Sequence, residues 1–129
     1  AVVSRNVFWN LEHADKAYEE AYRVLKKDGI LILEDGNYYR RFFSDKYQKA
    51  YDEFQRGHEK EEQGCHARHN KENVDFSIMD EIAKKLPMSQ VDRPAWDFNK
   101  LVETGFHKIQ VEIAGSPLPM SFCIVAQKG

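Results

Sequence analysis

Short apolar runs and helical periodicity divide the start of the chain into a strand, a helix and a second strand. Residues 1–6 are apolar and β-branched at first and polar at their end, which predicts a strand with a polar carboxyl end. Asp15 is predicted to cap a helix that basic residues and Gly29 bring to an end. The run ILILED at 30–35 has no polar alternation, which is typical of a strand covered on both faces of a parallel sheet. The pattern therefore predicts a βαβ unit.

Residues 37–93 carry a different pattern and are predicted to form a helical insertion. One helix is predicted from the spacing of Tyr47, Ala50, Tyr51 and Phe54. Residues 64–75 have almost nothing to bury and are predicted to be a loop. A capping box that begins at Ser77 predicts a second, short helix that ends before Pro87.

The last third of the chain predicts a helix followed by an antiparallel pair of strands. The helix is expected to begin near Pro94 and to end at Gly105. The segments HKIQVEIAG and MSFCIVAQK alternate apolar and polar residues, and a Gly-Ser-Pro turn lies between them. Since no repeat or shift in composition divides the chain, we expect a single domain over residues 1–129.

Composition and charge narrow the range of partners. Of the 129 residues, 42% are hydrophobic and 31% are charged, and 19 basic against 21 acidic residues give a net charge of −2. This balance gives no electrostatic reason to expect nucleic acid or an anionic membrane as a partner. No apolar run approaches the ~20 residues that span a bilayer. Two distant cysteines indicate no disulfide framework, so we expect a cytoplasmic protein.

A group of potential metal ligands lies in the charged middle of the chain. Cys65, His66 and His69 form a CHxxH spacing with His58 nearby, but a second paired half is missing. A hydrophilic loop with scattered histidines gives the same pattern by chance. We therefore expect no metal.

The run VVSRNVFWNLEHADKAYEEAYRVLKKDGILILEDGNYY resembles the second half of a class I S-adenosylmethionine-dependent methyltransferase. The family phrase RVLKPGG appears here as RVLKKDG, and the strand after it is kept. The later segment LPMSQVDRPAWDFNKLVETGFHKIQVEIAG is similar to the end of those proteins. The resemblance implies an α/β fold with part of a Rossmann-like sheet, namely the last two parallel strands plus a C-terminal antiparallel hairpin, with a helical insertion at about 37–93.

The resemblance also implies that the first half of the family domain is missing. The sequence has no GxGxG motif, which in the family follows the first strand and binds the cofactor. We therefore expect the C-terminal portion of a methyltransferase domain that binds the cofactor weakly or not at all by itself. A central strand without one neighbour leaves an unpaired edge, so we expect a homodimer or larger homo-oligomer.

Candidate site residues follow the two parallel strands, because ligands of open α/β sheets bind beyond the carboxyl ends of the strands. By resemblance, the first set would contact S-adenosylmethionine: Ser4, Arg5, Asn6 and Trp9. The second set would shape the substrate pocket: Asp35, Asn37, Tyr38 and Tyr39. The alternative is that these side chains satisfy loop carbonyls and pack in the core.

These observations predict methyl transfer from S-adenosylmethionine to a small molecule whose class the sequence does not identify. Two alternatives remain. A nicotinamide-dependent Rossmann protein is disfavoured because its sheet would end in parallel strands. A non-catalytic interaction or oligomerisation module derived from a Rossmann-like fold would bind a partner through the edge of strand 1–6 or through the amphipathic helix that follows Asp15.

Overall fold

A computed structural model describes residues 1–61, 75, 77–115 and 118–129, with the side chains of 58–61 excepted. The described chain is a mixed α/β structure. Its strands are β1 (Val2–Arg5), β2 (Ile30–Gly36), β3 (Phe106–Ala114) and β4 (Ser121–Lys128). Its helices are α1 (Ala14–Val24), α2 (Asp45–Glu61), α3 (Ser77–Ala83) and α4 (Ala95–Thr104). Single turns of 3₁₀ helix lie at Phe8–Asn10, Arg40–Phe42 and Pro87–Ser89.

The four strands form one sheet in the order β1-β2-β4-β3. β1 and β2 are parallel, and β2 with β4 and β4 with β3 are antiparallel. The predicted βαβ unit and the predicted closing strand pair are therefore confirmed. The Gly-Ser-Pro turn of that pair falls partly at residues 116–117, which lie outside the described residues.

Helices α1 and α4 pack on the same face of the sheet. Buried side chains of α1 and α4 meet buried side chains of β2 and β4 there: Tyr18, Ala21, Leu101, Leu31, Leu33, Phe122 and Ile124. On the opposite face, Val3 is 68% exposed and Ile30 is 37% exposed. The prediction that β2 is covered on both faces is therefore wrong for the described residues, because α1 and α4 share one side.

The ends of α1 differ from the prediction. His13 is the N-cap, with no side-chain capping bond, and Asp15 lies inside the first turn, where its charge suits the helix dipole. The helix ends at Val24 because Leu25 turns to an extended conformation and is buried in the core. Asp28, which is not a glycine, takes a left-handed conformation after the helix, at φ 62°. Gly29 is needed for space, since a Cβ there would lie 2.9 Å from the Lys26 carbonyl oxygen.

The other helix boundaries depend on their flanking residues. The N–H of Ser77 donates to Asp75 Oδ1 at 2.9 Å, so Asp75 caps α3 and the predicted capping box at Ser77 is wrong. α3 ends at Ala83, before Pro87, as predicted. α4 follows Pro94 and ends at Gly105, whose φ of 107° only glycine adopts easily, as predicted. The predicted loop 64–75 lies, except for its last residue, outside the described residues.

No helix in the described residues is long and apolar enough to cross a membrane.

Candidate functional site

A cleft of about 560 Å³ opens where the parallel strands β1 and β2 end. Carboxyl ends of parallel strands meet at the same edge of a sheet, so the segments that follow them converge there. The 3₁₀ turns after the strands and the helices α2 and α3 complete the walls. The cleft is lined by Asn6, Trp9, Tyr38, Tyr39, Arg41, Tyr51, Met79 and Asp80.

Asn6 makes the sharp turn that closes the strand side of the cleft. Its φ of 54° is left-handed, a conformation that Asn tolerates better than most residues. Its N–H donates to the Glu34 carbonyl at 2.9 Å, and its own carbonyl accepts from the Trp9 indole N–H at 3.0 Å. Its side-chain Oδ1 accepts a hydrogen bond from the Tyr38 hydroxyl. Asn6 therefore connects the two segments that carry the aromatic walls.

The aromatic wall depends on a glycine behind it. The Trp9 ring lies 5.4 Å from the Tyr39 ring and 6.0 Å from the Tyr38 ring, the latter edge-on, measured between centroids. At Gly36 a Cβ would lie 2.7 Å from both a Tyr38 ring carbon and the Met120 carbonyl oxygen. Only glycine leaves room for Tyr38 to lie in this position.

Arg41 joins the insertion to the cleft. Its guanidinium carbon lies 4.1 Å from the Tyr51 ring centroid and 4.4 Å from that of Phe42, so two aromatic faces cover the charge. One amino group donates to the Tyr38 carbonyl at 3.0 Å, and the other pairs with Asp80 at 3.3 Å. The Arg41 side chain is 11% exposed. A single cation therefore connects α2, α3 and the segment after β2.

Beneath the cleft, a buried ionic network ties β2 to α1 and α4. Arg93 is 2% exposed and pairs with Asp35 at 2.9 Å and with both oxygens of Asp97 at 2.8 and 2.9 Å. Asp97 also accepts from the Tyr18 hydroxyl. Asp35 accepts the backbone N–H of Trp9 at 2.8 Å, which extends the network to the cleft wall. Each buried charge is thus paired, as its burial requires.

Burial and pairing shift the titration of this network. Burial raises the pKa of Asp35, and the charge and hydrogen bonds of Arg93 offset this only in part. Burial alone would lower the pKa of Arg93, but its bonds to Asp97 and Asp35 outweigh that effect and the pKa is raised. The pKa of Tyr18 lies well above its usual value because of burial first and the Asp97 charge second.

We expect Tyr18 to make the protein lose stability in alkali. The unfolded phenol loses its proton near pH 10 while the folded one keeps it, so the free energy of unfolding is undiminished below about pH 10 and falls above it. The fall reaches about 1.4 kcal/mol per pH unit. Tyr18→Phe is expected to be less stable than the wild type at pH 8. This difference in the free energy of unfolding, measured by urea denaturation, should shrink as the pH rises to 11.

Tyr22→Phe is the matched control, because Tyr22 is on the same helix and its hydroxyl lies outside the network. It should follow the wild-type pH profile. A gap between wild type and Tyr18→Phe that stays constant from pH 8 to 11 would contradict the prediction.

Asn37 holds the segment after β2 from inside. It is 5% exposed, and its side-chain amide donates to the Arg93 carbonyl at 2.8 Å and to the Pro119 carbonyl at 2.7 Å. A third contact reaches the Tyr47 hydroxyl at 3.4 Å. These bonds fix the ends of three segments that approach the site.

The structure distributes the eight predicted site residues over three places. Four of them line the cleft: Asn6, Trp9, Tyr38 and Tyr39. Asp35 and Asn37 are buried beneath it. Ser4 is half-buried within β1, and Arg5 is exposed and pairs with Glu34 at 3.4 Å. The prediction did not include Arg41, Tyr51, Met79, Asp80 or the buried Arg93. The run YYRRFF at residues 38–43 could have indicated Arg41, since a cation within an aromatic run can stack on the neighbouring rings.

Metal binding finds no support in the part of the chain that the structure describes, where no group of three potential ligands occurs. The candidates Cys65, His66 and His69 lie outside the described residues, as does the His58 side chain. Cys123 is a free, half-buried thiol in β4.

The cleft fits one end of S-adenosylmethionine better than the other. The Trp9 ring suits a sulfonium cation, and the Asn6 amide offers polar contacts beside it; the Tyr39 ring already has the Arg41 guanidinium carbon 5.3 Å from its centroid. A ribose diol is best bound by a free carboxylate, but Asp80, the carboxylate among the described cleft residues, is paired with Arg41. The described residues therefore fit the methyl end of the cofactor.

A comparison with protein families gives a match at the start of the chain. Residues 1–33 match the family model described as a methyltransferase domain. The matched segment covers β1, α1 and the first half of β2. A comparison with curated proteins finds no match. The match supports a methyltransferase domain.

Proposed function

We propose, from the methyltransferase-domain match over residues 1–33, that the chain takes part in methyl transfer from S-adenosylmethionine to a small molecule. The observation that carries the proposal is the position of the cleft, which lies at the carboxyl ends of the two parallel strands, next to the matched segment. We further propose that the sheet corresponds to the second half of a class I domain. A parallel pair followed by an antiparallel closing pair supports this assignment.

The cleft residues would act by positioning. S-adenosylmethionine, when bound, supplies an electrophilic methyl group. Trp9 would hold the cation, Tyr39 would help to exclude water, and the Asn6 amide would orient the acceptor. Burial, with the negative charges of Asp35 and Glu34, raises the pKa of Tyr38, so its hydroxyl remains a hydrogen-bond donor at neutral pH. With Asp80 already paired, the described cleft favours an acceptor that needs no strong base.

We expect the chain to bind S-adenosylmethionine with a Kd of about 1 mM, which corresponds to about −4 kcal/mol, because only the methyl end is contacted. Titration with cofactor labelled with ¹³C at the methyl group should shift that methyl NMR signal. Trp9→Leu and Asn6→Gly should each abolish the shift. Glycine is chosen at position 6 because it removes the amide and keeps the left-handed backbone without strain.

Val7→Ala is the control, since Val7 lies between the two tested residues and is exposed. It should leave the shift unchanged. Absence of any shift at several millimolar cofactor would overturn the proposed contact. Binding tighter than about 1 µM would instead mean that the whole cofactor is held.

A second candidate function is favoured by the open face of the sheet. Val3 and Ile30 are exposed there beside the half-buried Ile32 and Val125. In the described residues β1 is also an edge strand. An apolar face next to an unpaired edge is typical of an interaction surface. A non-catalytic module would bind its partner through this surface and would leave the cleft without a ligand. The self-association expected from the unpaired strand edge remains a prediction.

A further inference from the structure

We propose that the cleft binds a flat, uncharged aromatic molecule with a hydroxyl group, and that this molecule is the methyl acceptor. Its role as an acceptor rests on the proposed function, but its binding does not. Three features of the cleft carry the inference, namely the kind of apolar surface, the balance of charge and the free hydrogen-bonding capacity.

Aromatic rings dominate the apolar surface. Trp9, Tyr38, Tyr39 and Tyr51 line the cleft, and Met79 is the aliphatic member of the set. The Tyr39 ring is backed by Phe42, stacked at 6.1 Å with an angle of 10°, which holds its plane. Fixed rings at different angles offer both stacking and edge contacts, and such contacts favour a flat aromatic ligand over a saturated one. A cleft of about 560 Å³ has room for two or three fused rings.

The charge of the cleft is already balanced. Among the residues that the structure describes, Arg41 and Asp80 are the charged ones that line it, and they pair with each other. A ligand carboxylate would compete with Asp80 for a guanidinium that Tyr51 and Phe42 cover. A ligand ammonium would compete with Arg41 for Asp80. Because either charge would have to disrupt the Arg41–Asp80 pair, the side of the cleft beside that pair favours a neutral acceptor, whereas the sulfonium of the proposed function would lie against Trp9.

One polar group remains available next to the Trp9 ring. The Oδ1 of Asn6 accepts from the Tyr38 hydroxyl, while the Asn6 amide nitrogen has no bonded partner among the described residues. Asn6 is exposed, so this nitrogen can donate to a ligand. A ligand hydroxyl oxygen would accept that bond, and the Tyr38 oxygen can accept the hydroxyl proton in return. The proposed function places the reacting oxygen at this position. As its O–CH3 bond forms, the S–CH3 bond of S-adenosylmethionine would break and S-adenosylhomocysteine would leave. The hydroxyl proton would pass to solvent water, because Asn6 is exposed and Asp80 is paired.

The test compares four probes on the full chain at pH 7 by calorimetric titration without cofactor. The probes are 2-naphthol, 2-naphthoate, (2-naphthyl)methylammonium and decahydro-2-naphthol. We expect 2-naphthol to bind about tenfold more tightly than the saturated alcohol, through stacking, and at least about tenfold more tightly than either ion. Equal or tighter binding of an ion, equal binding of the saturated alcohol, or no binding of 2-naphthol would overturn the inference.

Variants locate the site. Trp9→Leu and Tyr39→Leu should each weaken 2-naphthol binding about fivefold to tenfold. Phe43→Leu is the matched control, because Phe43 is an exposed aromatic residue of the same segment that does not line the cleft. It should bind 2-naphthol as the wild type does. Circular dichroism checks that each variant is folded. Equal losses in all three variants would place the probe elsewhere and overturn the inference.

The result is separable from that of the cofactor titration. If 2-naphthol binds as expected and S-adenosylmethionine gives no shift, the proposed function fails and the ligand class stands. If the cofactor binds and 2-naphthol does not, the ligand class fails and the proposed function stands.

Discussion

Arg93→Met is expected to lower the free energy of unfolding by about 3–5 kcal/mol, which is the usual loss when one partner of a buried ion pair is removed. The substitution would leave the carboxylates of Asp35 and Asp97 buried without their shared cation. The Tyr18 hydroxyl and the backbone N–H groups of Trp9 and Gly36 would remain as their only bonded partners among the described residues. Urea denaturation at pH 7 measures the loss.

Two further variants separate the loss of the buried ion pairs from the change in side-chain size. Arg23→Met removes a cation whose ion pair with Glu20 is exposed, and it should change stability by less than about 1 kcal/mol. Arg93→Met combined with Asp35→Asn and Asp97→Asn removes the unpaired charges and should recover about 2 kcal/mol or more. If Arg93→Met and Arg23→Met have the same effect, the buried network does not stabilise the fold as argued.

Asn37→Ala is expected to lower the free energy of unfolding by about 2–4 kcal/mol. The substitution would leave the carbonyl oxygens of Arg93 and Pro119 without the amide that satisfies them, and each buried unsatisfied group costs about 1–3 kcal/mol. Denaturation by urea and by heat should agree on the loss.

Gln48→Ala is the matched control for this prediction. It also removes a side-chain amide donor, but the bond to Asp52 is exposed, so the change should lie within about 0.5 kcal/mol. A loss of less than 1 kcal/mol in Asn37→Ala would show that water or a local shift satisfies the two carbonyls instead.

Elements that depend on local pattern were predictable from the sequence. The uninterrupted run of β2, the alternation in β3 and β4 and the glycine at the end of α4 act through neighbours within a few residues. The rule that ligands bind beyond parallel strands placed Asn6, Trp9, Tyr38 and Tyr39 together, because strand direction fixes where their segments converge.

Features that depend on distant contacts were not predictable. Arg93 lies in a polar stretch and resembles a solvated residue, since its partner Asp35 is 58 positions away. Arg41, Tyr51, Met79 and Asp80 lie in the insertion, where no strand register indicates which side chains face the cleft. The one-sided burial of β2 was missed for a similar reason, because an apolar run does not indicate which face the helices cover.

The order of the strands has a consequence for the way the chain folds. Leu31 of β2 pairs with Val2 about 30 residues before it and with Ala126 about 95 residues after it, and closing the longer loop costs about 1 kcal/mol more. The β1-α1-β2 unit and the β3-β4 pair each form from nearby residues, whereas their junction needs almost the whole chain. Docking of β4 against β2 is therefore expected to be the late, rate-limiting event, and the hydrogen bond from Asn37 to the Pro119 carbonyl forms with it.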